Sequence, residues 1–272
     1  MTPLDLDRLC IHTATTRPLG LELALDVYAR AGVTGITVWR DALQGRDPEE
    51  AGRRIAACGL AAVSLCRGGF FVGPDSEARA RAVEENRAVL REAAGIGAPL
   101  VVLVCGADPA VPLPESRNQI VGGIEALLPL AEELGVKVAI EPLHPMYADT
   151  RSAVNTMRSA NELCDRIDHP LVGVAVDVYH VWWDPELEDQ IARCGDRVFA
   201  FHVCDWRSPT RHLLTDRGLM GEGCIPIRQI RSWVEAAGFG RFAEVEIFST
   251  DYWAQDQVDY VDRIVAAFRE YV

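Results

Sequence analysis

No stretch of this 272-residue chain approaches the roughly 20 consecutive apolar residues that a membrane-spanning helix requires. The N-terminal stretch MTPLDLDRLC has neither the basic nor the apolar segment of a secretory leader. No Cys-x-x-Cys pair occurs. The cysteines (Cys10, Cys58, Cys66, Cys105, Cys164, Cys194, Cys204 and Cys224) are scattered, which excludes a short secreted disulfide framework. These absences predict a cytoplasmic protein with reduced thiols. No low-complexity tract or Pro-, Gly- or Ser-rich linker divides the chain, so a single domain over residues 1–272 is expected. Positive charge is also scarce. Lys and Arg number 27 against 40 Asp and Glu, a formal charge of −13. Such a balance disfavours a nucleic-acid backbone or an anionic membrane as partner. It weighs against a highly phosphorylated substrate too, unless local arginines override the global field.

What the chain does contain is an alternation. Near-continuous apolar runs fall at 9–13, 35–39, 61–66, 100–105, 137–141, 172–177, 198–203 and 243–248. Continuous rather than alternating hydrophobicity is the mark of parallel strands buried on both faces. Segments with helical spacing lie between them, at 20–31, 47–58, 76–95, 117–134, 152–166, 186–195, 226–237 and 254–271. Several stop before a glycine, and Ser76 reads as an N-cap. About 34 residues per strand–helix unit is what an eightfold α/β (TIM) barrel needs. The rival is a doubly wound open sheet. It would place a Gly-rich phosphate turn after the first strand, and IHTATTRPLG has none.

Function in such a barrel collects at the carboxyl ends of the strands. Strand five runs through VAIEPLHP and ends in Glu141, with His144 behind it. Strand six ends in Asp177, followed by His180. Strand seven holds His202, followed by Cys204 and Asp205, and strand eight holds Glu246. A single acidic residue at a strand end is usually a helix cap. Four consecutive strands each supplying a metal-ligand type to one mouth is a different pattern. Three carboxylates at close range cannot all stay ionised without a cation or raised pKa values. The reading is one divalent metal held by Glu141, Asp177, His202 and Glu246. The oxygen-rich set favours Mn2+, with Mg2+ or Co2+ as alternatives, over a structural Zn2+. Trp39, Phe70, Phe71, Trp182 and Trp183 follow strand ends and suit the C–H faces of a sugar. Arg40 and Arg67 are placed to read hydroxyls or pair with surplus carboxylates. No clustered phosphate grip is evident, which favours a non-phosphorylated sugar.

The stretches VAIEPLHP, GVAVDVYHVWWDP, FAFHVCDW, DRGLMGEG and EVEIF resemble the sugar isomerase/epimerase superfamily of xylose-isomerase-like barrels. That superfamily includes ketose 3-epimerases, inosose dehydratases and deglycosidases of 3-keto-glycosides. The resemblance implies the same four metal ligands. It implies substrate contacts from His180 and from an arginine beyond strand seven, Arg217 in preference to Arg207. Trp39 and Trp182 join them as candidate substrate-binding residues. It further implies a small-molecule sugar or sugar derivative as substrate and a homo-oligomer, or a hetero-oligomer for deglycosidase chemistry. Trp182, Trp183, Tyr252 and Trp253 are candidates for the interface. The expected activity is isomerisation or epimerisation, in which Glu141 and Glu246 exchange protons beside a carbonyl through an enediolate. The chain departs from the ketose 3-epimerases after its first ligand. Their Asn-Arg-x-Glu is replaced here by His144, Pro145 and Tyr147 at the three named positions. The alternative is therefore a lyase with His144 as base, expelling a β-leaving group. His144 otherwise reads as a loop hydrogen-bonder held by its two prolines, and the GEG at 221–223 as either a site turn or a plain one. A DNA-cutting barrel with three zinc ions needs more histidines and a basic face. A non-catalytic sugar-binding barrel would need no metal.

Overall fold

The computed structural model describes residues 4–272, so the first three residues of the stretch read for a leader lie outside the described residues. Eight parallel strands close into a barrel: Leu9–His12, Gly35–Trp39, Ala61–Gly69, Leu100–Val104, Lys137–Ile140, Val172–Asp177, Val198–Val203 and Ala243–Val245. They stand in chain order round the ring. The eighth closes it by pairing with both the seventh and the first, where Leu9 lies opposite Ala243. Strands two, six and seven have the bounds their apolar runs predict. Strand three runs on to Gly69 rather than Cys66, and strand eight stops at Val245.

Side chains alternate between two environments along each strand. One set, with Leu9, Ile11, Ile36, Val38 and Leu65 among it, packs outward against the helices in a continuous apolar layer. The other set fills the barrel. Cys66, Leu100, Val102, Ala139, Ala175, Phe199 and Ala200 form its lower contents. The three alanines leave room above them for larger polar groups.

The helices follow their caps more than their apolar period. The helix expected over 117–134 is two, Leu113–Glu125 and Leu128–Leu134. Pro129 has no N–H to give the Glu125 carbonyl, so the chain restarts its helix there. The helix expected over 152–166 begins only at Met157, behind a Thr156–Ser159 capping box. Asp75, not Ser76, caps the long third helix, accepting from the Ala78 N–H at 2.7 Å. The last helix is Gln257–Tyr271 behind Asp256, preceded by a separate turn at Thr250–Trp253. An antiparallel ribbon, Asp205–Trp206 against Arg217–Gly218, rises beyond strand seven and was not anticipated. Among the described residues no helix is long and apolar enough to cross a membrane.

One irregularity bears on the site. The pairing of strands three and four shifts register between Cys66 and Gly68, which leaves Arg67 as the extra residue of a bulge. Two residues on, Gly69 has a φ of 113°, and a Cβ there would lie 1.9 Å from the Val104 carbonyl oxygen. Only glycine fits. The Asn86 side chain locks this segment, accepting from Gly69 N at 2.6 Å and donating to Gly69 O at 2.7 Å. Asn86→Ala leaves buried backbone groups unpaired and should lower stability by about 2–3 kcal/mol in urea unfolding. An unchanged midpoint would contradict the assignment.

Candidate active site

The inward alternation of strands five to eight delivers four side chains to one point. Ligand atoms of Glu141, Asp177, His202 and Glu246 all lie within 4.8 Å of one another, and all four residues are buried. Asp177 serves two ends. Its Oδ1 accepts from the Tyr179 N–H at 2.8 Å, capping the turn that follows strand six, while Oδ2 faces the cluster. The helix-cap and metal-ligand readings of this residue both hold in geometry.

The donor set passes a direct test for a metal. Glu141 Oε1 and both ring nitrogens of His202 are buried without a hydrogen-bond partner, although His202 Nδ1 and Glu141 Oε1 stand 3.2 Å apart. Two polar atoms that close, out of hydrogen-bond alignment and away from water, are placed as ligands of one ion would be. Three carboxylates and one imidazole fit a divalent cation.

Arg217 enters the same cluster from the ribbon. Its guanidinium donates to Asp177 Oδ2 at 3.1 Å and to Glu246 Oε2 at 2.6 Å. It also lies 4.2 Å above the Tyr179 ring. His180 Nδ1 accepts from the backbone N–H of His144 at 3.2 Å. Its Nε2 stands 3.1 Å from the Arg217 guanidinium, which can only donate, and 3.6 Å from Asp177. Burial, and then Arg217, hold the His180 imidazole well below its ordinary pKa, so it stays neutral.

Beneath the cluster lies a second carboxylate that the sequence reading passed over. Glu244 Oε2 accepts from Thr37 at 2.5 Å and Ser64 at 3.0 Å, and stands 3.3 Å from His12 Nε2 and 3.7 Å from His202 Nε2. His12 also places Nδ1 3.2 Å from Glu246 Oε1. The signals were present: EVE puts two carboxylates two residues apart, hence on one strand face, and LCIHT ends strand one in an imidazole. Burial opposes protonation of His202, yet Glu244, Glu141 and Glu246 outweigh it and push the imidazole up to about 10. Burial pushes Asp177 up to about 7 against the pull of Arg217, with Glu246 and Glu141 adding to the rise. Burial opposes ionisation of Glu246 as well, but Arg217, His12 and His202 hold it well below the usual carboxylate range.

Glu141 and Glu246 of the cluster line a cavity of about 500 Å3 whose wall also includes Trp39, Phe70, Tyr147, His180, Arg217 and Phe248. Several expected residues stand elsewhere. The His144 ring is outside the cavity wall; its Nδ1 accepts from the Met146 N–H at 3.2 Å, and the ring packs beside Trp183 and Trp206. The loop-bonding reading of His144 describes this arrangement, and the part that reaches the site is its backbone. Arg207 is outside as well, bound to Asp216, Glu222 and Asp251. Trp182 packs toward Trp206 rather than the cavity. Phe71 is core. Arg40 pairs with Glu85 and Glu92 at 2.6 Å each. Tyr252 is buried within the chain, stacked on Tyr260, and is not available to an interface. The GEG segment is a structural turn. A Cβ on Gly223 would lie 2.1 Å from the Trp206 carbonyl oxygen, and Asp205 accepts from the Gly221 and Ile225 N–H groups.

A family model described as a xylose isomerase-like TIM barrel matches residues 25–269. Among solved structures, protein SMc04130 from Sinorhizobium meliloti 1021 is 45% identical over 98% of each chain, with a TM-score of 0.94. The IolI protein, solved with a binding zinc atom, is 22% identical over 97% of this chain and 99% of that one, with a TM-score of 0.85. D-Psicose 3-epimerase from Clostridium cellulolyticum H10, solved with D-tagatose, is 16% identical over 97% and 99%, with a TM-score of 0.78. At those identities the last two show likeness of fold alone. No curated protein sequence matches the chain.

Two measurements test the cluster. A metal must displace the His202 proton at any pH below about 10 and the Asp177 proton below about 7. Mn2+ affinity should therefore rise with pH, by about tenfold per unit for each proton displaced, more steeply below neutrality than above. Calorimetric Kd values that do not change between mildly acidic and mildly alkaline buffer would contradict it. Glu244→Gln removes the charge facing His202 Nε2 and should weaken Mn2+ binding by about 10–100-fold.

Proposed function

The chain belongs to the xylose isomerase-like TIM barrel family, and within it we propose a divalent-metal-dependent isomerase or epimerase acting on a sugar or sugar derivative. One observation carries the reading. Four buried ligand-type side chains from consecutive strands converge beside a cavity that Glu141 and Glu246 line, and Glu141 Oε1 and the His202 ring nitrogens have no hydrogen-bond partner among the described residues. Glu141, Asp177, His202 and Glu246 would hold the ion. The donor set favours Mn2+, while Zn2+ is the ion found with the IolI neighbour. When bound, the ion supplies a Lewis acid that polarises a carbonyl and lowers the barrier to losing the neighbouring proton.

The chain's own groups do the rest. Glu141 and Glu246 reach the cavity from strands five and eight, and so address a bound carbon from different directions. Each can take or return a proton at that carbon, which is what exchange between two faces or two adjacent carbons requires. His180 lines the same cavity beside Arg217 and can help orient a substrate oxygen there. Arg217 bridges Asp177 and Glu246 and keeps Glu246 ionised, able to accept a proton but a weak base that relies on an acidified substrate. Trp39 and Phe248, with ring centres 5.0 Å apart, give the C–H face of a sugar an apolar wall. The lyase alternative draws no support from the placement of His144.

Proton exchange at carbon tests this reading. Mn2+-loaded protein is incubated in D2O with a panel of ketoses and 3-keto-glycosides and followed by NMR. Deuterium should enter beside the carbonyl and a new sugar should form. Glu141→Gln and Glu246→Gln should each slow exchange by about 10²–10⁴-fold, and His144→Ala by far less. Release of water or an aglycone that His144→Ala abolishes would replace the isomerase by the lyase. Full activity of Glu141→Gln after metal removal would overturn both.

A further inference from the structure

The cavity wall carries five arginines: Arg17, Arg40, Arg67, Arg151 and Arg217. Three have carboxylate partners. Arg17 stands 3.6 Å from Asp41, Arg40 is bound by Glu85 and Glu92, and Arg217 by Asp177 and Glu246. The side chains of Arg67 and Arg151 have none among the described residues. Their contacts are ring faces: the Arg67 guanidinium lies 4.5 Å from the Phe70 ring and that of Arg151 lies 5.4 Å from the Tyr147 ring. In a chain of net charge −13, two neighbouring cations without a carboxylate are an exception that asks for an anion.

Both are built into the frame. Arg67 is the bulge residue of strand three, aimed at the mouth by the register shift and fixed by Gly69 and Asn86 behind it. The backbone of Arg151 is anchored where its carbonyl accepts from Gly106 N at 2.8 Å. The two are close enough to act on each other. Burial, and next the charge of Arg151, lower the Arg67 pKa, while Glu141 and Glu246 act in the opposite sense. A ligand group between these arginines is thus within electrostatic reach of the proposed proton-moving carboxylates.

We propose that Arg67 and Arg151 form an anion grip and that the substrate is a sugar acid, a polyhydroxylated carbonyl compound bearing a carboxylate. This rests on the isomerase or epimerase reading of the same cavity. A phosphate in a barrel of this type is usually seated by the loops after strands seven and eight and by a helix N-terminus. Here the free cations come from strand three and the loop after strand five. Two planar guanidiniums match the planar fork of a carboxylate. The aromatic rings contact the guanidiniums without accepting their N–H groups in a protein hydrogen bond, which leaves those groups to the ligand.

Calorimetry with paired probes tests the grip. D-Glucuronate and D-glucose differ in one carboxylate, and D-glucose 6-phosphate carries a phosphate instead. Mn2+-loaded wild type should bind D-glucuronate about tenfold or more tighter than D-glucose. The preference should shrink as salt is raised and fall to near unity in Arg67→Gln/Arg151→Gln. Neither side chain pairs with a protein carboxylate, so the variant leaves no internal charge exposed, and the salt titration of wild type is an independent arm. Equal binding of D-glucuronate and D-glucose, no binding of D-glucuronate, a preference that survives in the double variant, or an arginine-dependent preference for D-glucose 6-phosphate would each overturn the carboxylate assignment. Repeating the titration after chelation separates the two readings. A D-glucuronate preference kept without metal leaves the grip standing even where the metal centre fails.

Discussion

Glu141, Asp177, Glu244 and Glu246 are drawn into one barrel by the period-two alternation of its strands, and their mutual repulsion constrains everything placed around them. Negative charge at this density and depth demands compensation at every side. The protein supplies it in layers. His12 and the hydroxyls of Thr37 and Ser64 answer Glu244 from below, and Arg217 answers Asp177 and Glu246 from the ribbon above. What these leave without a hydrogen-bond partner among the described residues is the pair at the centre, Glu141 Oε1 and the His202 ring. The geometry of need and the geometry of metal ligation coincide there.

Structural and chemical duties are divided within single residues. Asp177 uses one oxygen to start a helical turn and the other to face the cluster. His144 contributes its backbone N–H, which holds the His180 ring in place, while its own ring fastens a loop. Strand three departs from regular pairing where Arg67 must leave the sheet, and a buried asparagine makes the departure rigid. Order at the mouth is obtained here from backbone contacts, so the Arg67 side chain keeps its guanidinium for the cavity.

The four ligand positions and the barrel were legible because both follow from periodicity: apolar runs mark the strands, and polar residues at their ends mark the mouth. Glu244 and His12 obey the same rule and could have been read from it, since EVE and LCIHT place them on inward faces. The split of the fourth helix region was signalled by Pro129. The ribbon was not legible, because its strands are two residues each and carry no period, so the preference for Arg217 over Arg207 rested on the resemblance alone. Only tertiary placement shows that one arginine braces a loop and the other enters the cluster. Aromatic residues past strand ends were equally ambiguous. Trp39 and Trp182 look alike in sequence, and the direction in which each ring turns is set by neighbours remote in the chain.

The ring of strands is sealed where the eighth meets the first, and that seam runs beside the cluster. Glu246 lies just past the eighth strand, and His12 ends the first. A chain still emerging, with its last strand unmade, therefore lacks one ligand altogether and holds Asp177 and His202 without the wall that aligns them. Ion capture, where the proposed metal binds, would in this sense report completed topology. An ion held by the cluster would register that the first and last strands have met, and would fasten the final stitch of the barrel against reopening.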